Sequence, residues 1–201
     1  NPNKSLNQDG LYLQTLTQSL SDPNHRFSSW NPRHDTPCNW TGVGCNTVRN
    51  SVVSLDFTSF NLSGPFPLIL CRLQHLSSLI FYDNSLSGSL PETISTCSSL
   101  VHLNLSLNLF VGEIPRSLSE IQGLTYLDLS GNNFSGDVPA SFGRFSNLEV
   151  VSLTDNLLDG EFPNVLMNVS SLKVLNLSYN SFQPSRLGDG LGSMAKLETF
   201  W

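Results

Sequence analysis

The sequence predicts an α/β repeat solenoid: a stack of short coils with a concave parallel β-sheet, opened by a segment that does not repeat. Three observations carry that reading. From position 52 onward a pattern of Leu, Asn, Gly and Pro returns with a 24-residue period. Leu, Ser and Asn number 34, 31 and 20 of 201 residues, over two-fifths of the chain. Charged residues make up only 13%, against about a quarter in ordinary domains. The same composition excludes other classes. Large apolar residues are too many for a disordered chain. Ten Lys and Arg against sixteen acids, net −6, give no basic face for nucleic acid. The longest apolar runs, such as Phe66 to Cys71, fall far short of the roughly 18 residues of a membrane span.

Residues 1–51 form the first unit. Asp9 is expected to cap a helix carrying Leu11, Leu13, Leu16 and Leu20, closed by Asp22-Pro23. Phe27 and Trp30 follow, then P-C-N-W-T-G-V-G-C at residues 37 to 45. The unit should cover the exposed core of the first coil.

Residues 52–196 hold six coils. The repeating unit reads L-x-x-L-x-L-x-x-N-x-L/F-x-G-x-hydrophobic-P. One copy runs Leu100, Leu103, Leu105, Asn108, Phe110, Gly112, Ile114, Pro115. Copies beginning at Leu76, Leu124 and Leu148 match it position by position. The first copy, from Val52, has Phe60 where Asn is expected. The sixth, from Leu172, keeps Asn180 but puts Pro184 in the Gly place and Leu187-Gly188 where hydrophobic-Pro belongs. It also carries one inserted residue, and a seventh copy begins at Leu197, so residues 197–201 are the start of a further strand. Each L-x-L alternates inward and outward side chains, as in a strand. No coil can bury its core alone, so stacking supplies the stability. The Asn amide is suited to bond backbone groups of its own and the adjacent turn. Gly and Pro favour a turn and an extended return over a long helix. No C-terminal cap follows, so the chain reads as a fragment of something longer, with Phe200-Trp201 at an open edge that invites dimerisation.

No enzyme constellation stands out. The four His are scattered, and neither a nucleophile elbow, a phosphate loop, a zinc motif nor a paired C-x-x-C occurs. What remains is the solvent side of the concave sheet. Small polar residues there are suited to an extended peptide backbone, and acidic members favour a basic or neutral ligand. Candidate contacts are Ile80, Tyr82, His102, Tyr126, Asp128, Val150 and Asp155. His102 and Tyr126 share a column.

The repeated L-x-G-x-I-P segment resembles the plant extracellular type of leucine-rich repeat, a horseshoe or right-handed superhelix. The W…C-x-W-x-G-V-x-C arrangement resembles the N-terminal cap of plant leucine-rich receptors. Cys38 and Cys45 are therefore expected to be bonded, stabilising the cap by roughly 2–3 kcal/mol. For Cys71 and Cys97 two readings stay open: a second disulfide between adjacent turns, or Cys97 as an apolar filler in the slot of Ile121 and Phe145. N-x-S/T sequons stand at Asn3, Asn39, Asn61, Asn104, Asn133, Asn168 and Asn176. With the disulfides they place the chain outside the cell, carrying N-linked glycans and no other cofactor. Asn104 and Asn176 would lie on the concave face, where a glycan would block a ligand.

Further stretches narrow the resemblance. S-L-N-Q-D-G at 5 to 10, G-P-F-P-x-I-L-C-R-L at 64 to 73, L-x-G-N-N-F-S-G-D-V-P-A-S-F-G at 129 to 143 and Y-N-S-F-Q-P-S-R at 179 to 186 are similar to the HAESA and HAESA-like receptor kinases of plants. That resemblance implies an ectodomain at the extracellular side of the plasma membrane. It would bind hydroxyproline-containing signalling peptides of the IDA type and recruit a SERK-type co-receptor. The membrane span and kinase would lie in later, absent regions, and this fragment by itself would bind weakly or not at all. The alternative is a secreted inhibitor or adaptor of the polygalacturonase-inhibiting kind, gripping a folded protein.

Overall fold

A computed structural model describes residues 5–186, 192 and 194–201. The Leu187-Gly188 departure and the Asn3 sequon lie outside them. Helix α1 spans Gln8–Ser19 and buries Leu13 and Leu16. Its N-cap is Asn7, not Asp9: the Asn7 side chain accepts the Gly10 N–H at 3.0 Å. Asp9 instead accepts the Val52 N–H at 2.8 Å, fastening the helix to the first coil. Leu11, on the opposite side of the helix, is exposed.

The cap then contributes a strand the repeat pattern did not announce. β1 (Val43–Asn46) runs antiparallel to β2 (Ser51–Asp56), with Val43 opposite Leu55 and a bulge between Gly44 and Cys45. Gly42 makes this approach possible. Its φ is +82°, and a Cβ there would lie 2.7 Å from the Asp56 carbonyl oxygen. Trp30 and Trp40 stack at 5.1 Å, and their indole N–H groups donate to the Thr41 carbonyl and His34 Nδ1. Trp30 also packs on Phe57, and Phe57 on Phe81, so the cap continues into the core as one aromatic column. The Cys38–Cys45 disulfide closes the loop that carries Trp40.

The L-x-L segments form β2, then β4 (Ser78–Ile80), β6 (His102–Asn104), β8 (Tyr126–Asp128), β10 (Val150–Ser152), β12 (Val174–Asn176) and β13 (Thr199–Phe200). After the antiparallel β1–β2 pair, every pairing in this sheet is parallel. Partners keep the full repeat period from Ser54↔Ser78 to Val150↔Val174. At the last step Val174 faces Thr199, so the inserted residue leaves the sheet intact.

A second parallel sheet lies on the flank: β3 (Ser63–Gly64), β5 (Ser85–Ser89), β7 (Leu109–Glu113), β9 (Asn133–Gly136) and β11 (Leu157–Leu158). These are the x-L/F-x-G segments, expected as a turn and an extended return but not as a sheet. Their partners fall two positions short of the repeat period, as in Ser63↔Ser85 and Val111↔Asn133. On the convex side Pro67, Pro91, Pro115, Pro139 and Pro163 each precede one short 3₁₀ turn. Proline suits that place, because its fixed φ begins a helical turn and the missing N–H is needed by no partner there. Each turn sends a large apolar residue inward: Leu70, Ile94, Leu118, Phe142 and Leu166.

The ladder asparagines are the buried polar groups that make the coils cohere. Asn132 Oδ1 accepts the Phe110 N–H at 3.0 Å. Its Nδ2 donates to Leu105 O, Leu129 O and Ser130 O at 3.0 to 3.2 Å. Asn84, Asn108, Asn156 and Asn180 repeat this set. Phe60 takes the place in the first coil because the cap, not another coil, lies beneath it: its ring meets Phe27 and Phe57 at 6.3 and 5.5 Å. On the convex side Cys71 Sγ is joined to Cys97 Sγ, with Cα atoms 4.2 Å apart. Of the two readings left open, the disulfide is the one present. Cys97 is also buried, so it fills the apolar slot as well.

Candidate functional site

The 24-residue register sorts the concave side chains into columns. One column runs Ser54, Ser78, His102, Tyr126, Val150, Val174. The next runs Asp56, Ile80, Asn104, Asp128, Ser152, Asn176. At the centre the His102 ring lies flat on the Tyr126 ring, 4.1 Å between centroids and 9° from parallel. The Tyr126 hydroxyl reaches Asp128 Oδ2 at 3.4 Å. Burial lowers the His102 pKa, and the Asp128 charge opposes it without reversing it. Burial raises the Tyr126 pKa, helped by the Asp128 charge and hydrogen bond. Burial thus favours the neutral imidazole and the neutral phenol, with the Asp128 side chain at one end. Ile80 on β4 and Val150 on β10 flank it, one on each neighbouring strand, both half-buried. This arrangement can hold an apolar side chain beside a cationic or amide group.

Not every candidate joins that cluster. Tyr82 is 39% exposed and sits beyond the end of β4, in the column of hydroxyls. Asp155 lies one position further out, in a row of residues with left-handed φ: Ser59, Asp83, Leu107, Gly131, Asp155 and Tyr179. There the chain leaves the strand and presents carbonyls to the neighbouring coil, as when the Asn108 N–H donates to the Gly131 carbonyl. Leu107 and Tyr179 are bulky for such a φ, which ordinarily costs on the order of 1–2 kcal/mol.

The hydroxyl column differs from the sequence reading. Ser106, which strand alternation would turn to solvent, is 2% exposed. Its N–H and Oγ–H both donate to Asn104 Oδ1. Asp56 with Thr58, Asp128 with Ser130, and Asn176 with Ser178 make the same local pair. These hydroxyls are committed to the fold, so less of the strip is available to a peptide backbone than composition suggested. The spacing D/N-x-S/T was the signal for it, since such residues bond their own backbone two positions on. The sequon asparagines Asn104 and Asn176 fall in this set, half-buried on the concave side. Asn39, Asn61, Asn133 and Asn168 are exposed.

Among the described residues no group of three or more His, Cys, Asp or Glu is placed to hold a metal. No described helix is long and apolar enough to cross a membrane.

Curved parallel sheet, capped first coil and asparagine ladder define a leucine-rich repeat ectodomain. Comparison with known proteins agrees. A leucine rich repeat N-terminal domain matches residues 6–46, and leucine rich repeats match 75–97, 99–121, 122–182 and 171–194. The BIR2 ectodomain from Arabidopsis thaliana superposes with TM-score 0.81 at 32% identity, over 92% of this chain and 99% of that one. The chain therefore belongs to the leucine-rich repeat family, and within it is a close homologue of the HAESA-like plant receptor kinases. It is 53% identical over 80 residues to receptor-like protein kinase HSL1 of Arabidopsis thaliana, 40% of this chain and 8% of that protein. The Arabidopsis receptor kinase HAESA, solved with the peptide hormone IDA and the co-receptor SERK1, superposes with TM-score 0.93 at 47% identity. That match covers 98% of this chain and one third, 33%, of the HAESA chain.

Proposed function

We propose that the chain is the N-terminal part of a plant receptor kinase ectodomain, and that its concave face holds part of a secreted IDA-type peptide. The full receptor would stand at the plasma membrane, facing outward, carry N-glycans on exposed sequons such as Asn39, Asn61, Asn133 and Asn168, and act with a SERK-type co-receptor. The observation that carries the reading is the His102–Tyr126–Asp128 cluster at the centre of a sheet whose homologue was solved with a peptide hormone. Ile80 and Val150 supply apolar contacts beside it. Tyr82 and Asp155, at the outer rim, guide rather than grip.

Calorimetry with hydroxyproline-containing IDA-type peptides tests this. The chain alone should bind weakly, in line with its one-third share of the HAESA chain. An ectodomain with further repeats should bind in the micromolar range or tighter. In that ectodomain Tyr126→Ala or Asp128→Asn should weaken binding by about tenfold, the loss of one well-placed contact. An ectodomain that ignores every such peptide, yet captures a cell-wall hydrolase, would favour the inhibitor-type alternative.

A further inference from the structure

The charge of this chain is unevenly divided. Five of its ten Lys and Arg, but only four of its sixteen acids, precede Leu76. The structure gathers part of that excess into one recess of about 320 Å³ between the cap and the first coil, at the start of β2, whose Ser51 is part of the wall. Arg49, Arg72 and His75 line it, with Tyr12, Asn50 and Gln74. The Arg72 guanidinium lies over the Tyr12 ring, 6.0 Å from its centroid, which holds it in place. Arg49 and Arg72 make no ion pair among the described residues. Asp9, the one acid on the wall, accepts the Val52 N–H, so two guanidiniums face a single carboxylate there. Asn50 also lines a neighbouring recess with Arg33, His34 and Asp35, where the charges balance, so the cationic excess is confined to the first recess.

We propose that this recess binds an acidic oligosaccharide, with Arg49 and Arg72 clamping its carboxylates. A guanidinium fork matches a carboxylate bidentately. Side-chain amides such as Asn50 and Gln74 offer both donors and acceptors, the complement of sugar hydroxyls. The size fits a short stretch of chain rather than a single ion. The concave strip, with Asp56, Asp83, Asp128 and Asp155, repels a polyanion, so this ligand is confined to the cap and would not compete with a peptide.

The test is titration of the purified protein with a de-esterified galacturonan oligomer of defined length, its methyl-esterified counterpart and inorganic sulfate at matched ionic strength. The acidic oligomer should bind at least about tenfold more tightly than the esterified one, as expected for losing charge-assisted bonds. An Arg49→Gln/Arg72→Gln variant should lose about tenfold, while Arg144→Gln, remote from the recess, should change nothing. Arg49 is on an exposed loop, so Arg49→Gln alone tests the site should the double variant melt early. Equal binding of the two oligomers, undiminished binding by the Arg49 variants, or sulfate competing as well as the oligomer would overturn the proposal. A peptide titration of the same variants keeps the two sites distinct, since their concave face is intact.

Discussion

Asn132 has a relative exposure of 6% and uses both ends of its amide. Truncation to Ala strands the Phe110 N–H and removes three further bonds, although the Leu105, Leu129 and Ser130 carbonyls each keep a second donor. A buried orphan costs on the order of 1–3 kcal/mol. Asn132→Ala should therefore lower stability by about 3 kcal/mol, read from the urea midpoint at unchanged slope. The ladder was legible in advance, because a ninth-place Asn at 24-residue spacing has one use in a stacked turn. The neighbourhood of His102 and Tyr126 was legible on the same ground, since the spacing puts both in one column. The helix cap was not. Asn7 and Asp9 are both good capping residues two positions apart, and the choice turns on Val52, far along the chain. His102 carries a pH prediction. Its folded pKa lies below the ordinary 6.5, through burial against Tyr126 and despite Asp128. The unfolded chain then binds more protons in the window below 6.5, so this contribution is intact above 6.5 and lost as pH falls towards the folded value. The melting temperature should drop more between pH 7 and pH 5 in the native protein than in His102→Gln.

Among elements, the cap hairpin and the convex disulfide make opposite demands. The β1–β2 hairpin depends on a backbone approach that only glycine permits. Gly42→Ala adds a left-handed strain and a contact with a carbonyl that cannot swing away. The variant should lose about 2 kcal/mol or more, seen as a lower melting temperature. The Cys71–Cys97 bond constrains the unfolded chain across a sequence separation of 26. Replacing both by Ser should cost roughly 3 kcal/mol in the chain-entropy model. The flanking sheet escaped the sequence reading for a plain reason. Segments such as S-L-S-G-S, Ser85 to Ser89, are poor in strand-forming residues, and their pairing comes from coils being stacked, not from local preference. The hydroxyl column was misread for a related reason: period-2 alternation says which way a side chain points, not whether its neighbour has already claimed it.

At the scale of the molecule, every coil is buried against its neighbours, and the core runs unbroken from Leu6 in the cap to Leu177 in the sixth coil. Unfolding should be a single event despite the repeating plan. In Trp201→Phe the two remaining tryptophans, Trp30 and Trp40, report on the cap alone. Their fluorescence and the far-ultraviolet dichroism of the whole chain should then give the same urea midpoint. Two separated midpoints would show that cap and coils unfold apart.

The unequal pairing of the two sheets tells how the chain climbs. In the concave sheet equivalent residues lie side by side, so those strands are level treads. In the flanking sheet each coil slips by two positions, about 7 Å along the strand for roughly every 4.8 Å step across. That slant is the ramp that lifts each turn onto the next. The extra residue of the sixth coil leaves the treads aligned, with Val174 facing Thr199, and the ramp before it keeps its slant at Glu161 and Gln183. The staircase can thus take in an extra residue while the surface a ligand walks along keeps its spacing.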